Sequence, residues 1–77
     1  MYSSDTNLTQ IKSGIPARII GIGGGHGIRQ KLNLMGISEG SIVRVISNSS
    51  GPVTIEVDRN TVSIGRGMAR KIRVVTV

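Results

Sequence analysis

The 77-residue chain has no cysteine, no tryptophan and no phenylalanine, and it contains one tyrosine, one histidine, two prolines and four acidic residues. Each shortage removes a class of structure or chemistry. Without cysteine, and with His26 the sole imidazole, neither a disulfide nor a Cys/His metal staple is available to hold so small a fold. Stability therefore has to come from packed aliphatic side chains in a single core. With Tyr2 the only aromatic, that core is built from Ile, Val, Leu and Met, a composition that favours strands. Apolar runs are four residues or fewer, against the roughly 20 residues that a membrane-spanning helix requires. The polar start Met1-Tyr2-Ser3-Ser4-Asp5-Thr6-Asn7 has neither the basic end nor the apolar stretch of a signal peptide, so a cytoplasmic protein is expected.

Basic residues and glycine are abundant. Ten Lys and Arg against four Asp and Glu give a formal charge of +6, which attracts anionic partners such as RNA, lipid headgroups or an acidic protein face. The basic residues are scattered from Lys12 to Arg73, the usual distribution of a solvated surface.

Along the chain, residues 1–7 read as a flexible polar tail and residues 8–77 as one domain. Leu8 and Ile11 open a short segment that stops at Ser13-Gly14, with Pro16 soon after. Ala17 to Ile22 reads as a strand, with Ala17, Ile19 and Gly21 facing one way and Arg18, Ile20 and Ile22 the other. The run Gly23-Gly24-Gly25-His26-Gly27 has too little side chain to pack and is expected as a loop. Ile28, Leu32 and Met35 then recur at helical spacing, and Gly36 stands where a left-handed residue closes a helix. Strands follow at Ile42–Ser47, at Val53, Ile55 and Val57, at Thr61–Ile64 and at Ile72–Val75. A turn is expected near Arg59-Asn60, and one helical turn within Gly65–Ala69. About five short strands in so small a chain favour a sheet curled into a partly open barrel, because a flat sheet would leave long exposed edges.

No constellation for catalysis emerges. The glycine run lacks a glycine where His26 stands, so it fails the dinucleotide fingerprint, and no Lys follows a Gly as a P-loop needs. His26 has no second imidazole or thiol with which to ligate a transition metal. Glu56 and Asp58 share the polar side of one strand without the spacing of a calcium loop. No catalytic residue, cofactor or metal ligand is therefore assigned, and a binding protein is expected rather than an enzyme. Nucleic-acid binding is the alternative, since small basic barrels often bind RNA or DNA, but the aromatic side chains on which single-stranded bases stack are missing beyond Tyr2.

The order of these pieces resembles the FeoA family, small cytoplasmic proteins of bacterial and archaeal ferrous iron transport. The resemblance runs from Leu8 to Val74. It includes Gly14, Ala17-Arg18-Ile19, Arg29-Gln30-Lys31-Leu32-Asn33-Leu34-Met35-Gly36-Ile37, Gly40, Val43 and Gly51-Pro52-Val53. Val62-Ser63-Ile64-Gly65-Arg66-Gly67-Met68-Ala69 and Ile72-Arg73-Val74 complete it. It implies a mainly β, SH3-like, partly open barrel of about five strands with one short inserted helix. It also implies an accessory or regulatory role on the FeoB-type ferrous iron transporter, through that protein's cytosolic GTP-binding domain or its membrane portion. Recruitment to the inner face of the membrane would follow from the transporter, without insertion of this chain. Similar domains end some metal-dependent repressors, but no DNA-binding helix pair stands ahead of this one. Leu34, off the Ile28/Leu32/Met35 stripe, is with Arg29 and Lys31 beside it the expected protein-binding point, with Arg66 as a further candidate; the alternative for Leu34 is packing against a neighbouring loop. An exposed edge strand leaves homo-oligomer formation open.

Overall fold

The alternation of Val53, Ile55 and Val57 with Thr54 and Glu56 produces a strand whose three aliphatic residues are buried. The same rule builds most of the sheet. In the computed structural model, which describes residues 6–77, six strands run β1 (Thr6–Asn7), β2 (Pro16–Ile22), β3 (Ile42–Ser47), β4 (Val53–Val57), β5 (Asn60–Ile64) and β6 (Ile72–Thr76). A nine-residue helix α1 (His26–Leu34) joins β2 to β3, and a single turn α2 (Arg66–Ala69) joins β5 to β6. Strand order is β1-β6-β2-β3-β4-β5, antiparallel throughout, and no hydrogen-bonded pairing joins β1 to β5. The sheet is thus curled but not closed, the expected mainly β, SH3-like architecture with its inserted helix.

The sixth strand is the addition to the five read from the sequence. Residues 1–5 of the expected tail, including Tyr2, lie outside the described residues, but Thr6 and Asn7 pair with Val74 and Arg73 of β6. Among the described residues, regular structure is thus present at Thr6, two residues ahead of Leu8. Asn7 also caps a 3-10 turn over Leu8–Gln10. Its Oδ1 accepts from the Thr9 N–H at 2.9 Å, while its own N–H donates to Gln10 Oε1 at 3.0 Å. That turn delivers Leu8 and Ile11 to the core, where both are buried.

β2 departs from simple alternation. Ile19 pairs with Val74 but Gly21 pairs with Arg73, so Ile20 is the extra residue of a bulge. Past the bulge the faces exchange: Ile22 turns inward beside Ile72, and Gly21 shares the outer face with Arg73. Both differ from the assignment made by counting alternate residues. Arg73 lies over Gly21 so closely that a Cβ there would stand 3.0 Å from the guanidinium. A second bulge at Ile46 separates the pairs Val45–Ile55 and Ser47–Thr54.

The helix starts earlier than the loop reading allowed, at His26, so Gly27 is helical; Gly25, at φ +91°, precedes it. Its end agrees with expectation. Gly36 at φ +84° donates to the Asn33 carbonyl at 3.0 Å, and the Ile37 N–H donates to the Leu32 carbonyl at 2.9 Å. This is the Schellman arrangement, and its hydrophobic contact is made by Leu32 and Ile37, both fully buried. The core is otherwise Ile and Val from every strand but β1, with Ala17 and Ala69 also fully buried.

Candidate functional site

On α1 the 100° step between residues separates those that face the core from those that do not. Ile28, Leu32 and Met35 fall within one narrow stripe: Leu32 is completely buried, and Ile28 and Met35 are partly buried against the core. Leu34 lies well off that stripe. It is 86% exposed, the largest exposure among the described large hydrophobic residues, so it packs against no described loop. Its surface neighbours by helical spacing are Gln30 at i−4 and Lys31 at i−3, both exposed.

Arg29 belongs elsewhere. Five residues from Leu34 amount to about 140° of rotation, which puts Arg29 on the opposite flank of the helix. There its guanidinium donates to Glu39 Oε2 at 3.4 Å and to the Ile22 carbonyl at 3.5 Å. Both partners of the ion pair are about half exposed, so it contributes no more than about 1 kcal/mol. It ties α1 to the segment that follows it. Of the expected cluster, only Leu34 and Lys31 are brought together.

Arg66 has a further role, set by α2. Its Nη1 donates to the Gly51 carbonyl at 2.8 Å and its Nη2 to Asn48 Oδ1 at 2.9 Å. Asn48 in turn donates through Nδ2 to the carbonyls of Thr9 and Ile11, each at 2.8 Å. One half-buried amide therefore connects the first turn of the fold, the β3–β4 connection and α2. Sequence reading treats Asn48-Ser49-Ser50-Gly51-Pro52 simply as a turn, and no local signal marks Asn48, because its partners are backbone carbonyls 39 and 37 residues away.

The glycine run before α1 is anchored rather than loose at its first half. The Gly23 N–H donates to the Lys71 carbonyl at 2.8 Å. Gly24 has φ +91°, which favours glycine, and a Cβ there would stand 2.5 Å from Ile28 Cδ1 and 2.8 Å from Lys71 Cδ, so both side chains would have to shift. The run positions the helix. Among the described residues, no three of His, Cys, Asp and Glu come together to hold a metal ion. Nor is any described helix long and apolar enough to cross a membrane.

Other exposed aliphatics are distributed over the sheet: Ile20, Ile42, Ile46 and Val77 stand on strands or at the end of the chain, and Ile15 precedes β2. Leu34 differs from them in standing on a helix whose other face is fixed to the core.

Residues 6–76 match the family model described as the FeoA domain. A curated relative, the putative Fe(2+) transport protein A of Methanocaldococcus jannaschii, is 47% identical over 53 residues. That alignment takes in 69% of this chain and 65% of the relative, so the match spans a little under two thirds of the relative's own length. Among solved structures, the crystal structure of an iron uptake regulatory protein, FeoA, superposes with a TM-score of 0.85 at 34% identity, over 92% of this chain and 95% of that one. A manganese-dependent transcriptional repressor in complex with manganese gives 0.86 at 22% identity, over 99% of this chain but 38% of the repressor. That likeness is one of fold. The family match over nearly the whole described chain and the FeoA structure, shared almost end to end, establish that this chain belongs to the FeoA domain family.

Proposed function

We propose that this protein is a non-catalytic accessory subunit of ferrous iron transport, which docks on the cytosolic part of a FeoB-type transporter through the outer flank of α1. The observation that carries the reading is Leu34: a large aliphatic side chain, 86% exposed, on a helix held rigidly by Leu32 and the Schellman closure, with Lys31 beside it. An apolar anchor with a neighbouring cation is the composition of a small protein-binding point, and its pre-ordered backbone lowers the entropy lost on docking. Arg29 contributes by fixing the helix to the following segment. Arg66 contributes by fixing α2 to the β3–β4 connection. Membership of the FeoA family, and a relative named as a putative Fe(2+) transport protein, support ferrous iron transport as the setting of that role.

The test is calorimetric titration of the purified chain into the cytosolic domain of the transporter, with and without guanine nucleotide, followed by the full-length transporter in detergent. Binding is expected in at least one of these, weakened about tenfold or more by Leu34→Ser with the fold retained. Absence of binding to both cytosolic domain and full-length transporter overturns the reading. Tight binding to generic single-stranded RNA or DNA that falls steeply with salt would instead favour the nucleic-acid role.

A further inference from the structure

β5 ends the sheet. Its pairing with β4 runs through a two-residue connection, Asp58-Arg59, both at positive φ, so Val57 and Asn60 form the first hydrogen-bonded pair. Alternation then makes Ile55–Val62 and Val53–Ile64 the next bonded pairs. Thr61 and Ser63 therefore point their N–H and C=O groups away from β4, and among the described residues no backbone partner meets them. Both residues are exposed.

Nothing on the strand protects this edge in the ways that edges are commonly protected. Between Asn60 and Ile64 there is no charge, no proline and no bulge against β4. At the other end of the sheet, the described part of β1 spans Thr6–Asn7. Val62, which shares the inward face with Ile55, is only partly buried because the sheet stops there.

We propose that the β5 edge is a self-association surface, on which a second copy of this chain adds its own β5 antiparallel about a two-fold axis through Val62. The register is fixed by which groups are free. In it, Thr61 lies opposite Ser63 of the partner subunit, and the same pair recurs on the other side of the axis. The four outward N–H and four outward C=O groups of the two strands thus satisfy one another. Val62 meets Val62 of the partner subunit across the axis, completing the burial that the open sheet leaves unfinished. Across each Thr–Ser pair the hydroxyls lie within mutual reach, as Thr54 and Ser63 already do within one chain at 3.3 Å.

Charge restricts where two copies can meet. Each copy carries +6, so an approach through most of the surface is repulsive, whereas β5 is neutral along its length. Asp58 with Arg59 precede the strand and Arg66 follows it. The two-fold sets the Asp58 end of each copy against the Arg66 end of the other. Two five-residue strands bury far less than a standard interface, so the dissociation constant falls between about 10 µM and about 1 mM.

Sedimentation velocity of the full chain from about 10 µM to about 1 mM is expected to show a monomer–dimer equilibrium that tightens as salt screens the net repulsion. Amide hydrogen exchange at the two extremes locates the contact: Thr61 and Ser63 become slower at high concentration, while Val62, already bonded to Ile55, changes little. Ser63→Pro removes an outward donor without breaking a bond to β4, and weakens dimerisation by about tenfold or more with the fold intact. If that variant fails to fold, the exchange measurement on the unsubstituted chain decides alone. A monomer at every concentration overturns the proposal. So do dimerisation that weakens with salt and a dimer in which Thr61 and Ser63 exchange unchanged.

Discussion

Replacing Asn48 by alanine is expected to destabilise the fold far more than a half-exposed polar residue in a connection ordinarily would. The substitution removes three hydrogen bonds, two donated to the carbonyls of Thr9 and Ile11 and one accepted from Arg66. Neutral bonds of this kind contribute about 1 kcal/mol each, and the charge-assisted one is discounted to a similar value because Arg66 is only half-buried. The sum is about 2–3 kcal/mol. A domain of this size has a total stability of about 4–12 kcal/mol, so a large fraction would be lost. Urea unfolding followed by circular dichroism measures it, and the same loss lowers Tm by about 10–20 °C. Arg66→Ala is expected to cost about 1–2 kcal/mol, and the double variant less than the sum of the singles by about 1 kcal/mol, because the two share a bond. A loss below about 0.5 kcal/mol for Asn48→Ala, or strict additivity of the pair, would refute this account of how the first turn is held to α2.

Gly36→Ala forces a side chain into φ +84° at the helix closure and should cost about 1–2 kcal/mol by the same unfolding assay. Arg59→Gly should act in the opposite sense. It relieves φ +68° in the β4–β5 turn and creates an Asp-Gly pair suited to that geometry, giving about 0.5–1 kcal/mol of added stability. Leu32→Ala and Leu34→Ala form a contrast two residues apart: about 2–5 kcal/mol for the buried side chain, and within about 0.5 kcal/mol for the exposed one, measured by thermal and urea unfolding.

The parts of the fold that were legible in the sequence are those with a period. Val53, Ile55 and Val57 announced β4, and Ile28, Leu32 and Met35 with Gly36 announced α1 and its closure. β1 was missed because two residues carry no period; Thr6 and Asn7 become a strand only because β6 lies alongside. Ile22 and Gly21 were placed on the wrong faces because a single extra residue at Ile20 inverts the alternation, and the partner strand that defines the bulge is about fifty residues away in the chain. The site divides in the same way. That Leu34 is exposed follows from helical spacing within α1; the same spacing separates it from Arg29, which the sequence reading sets beside it. The ties of Arg66 to Asn48 and Gly51 do not follow from spacing, since they depend on how two connections meet in space.

The bonds of Asn48 also bear on the order in which the chain folds. β3, β4 and β5 are joined by short connections, and their pairing closes only small loops. By contrast, β2 meets β6 with Ala17 opposite Thr76 and Ile22 opposite Ile72, pairings that enclose most of the chain and carry a correspondingly larger loop-closure entropy. Asn48 sits on the locally formed meander and reaches across to Thr9 and Ile11 near the start of the chain, and through Arg66 toward its end. It is the clasp between a part of the sheet that can assemble early and the two chain ends that must be gathered to it. Weakening that clasp should therefore raise the unfolding rate while leaving the early pairing of β3 to β5 unchanged.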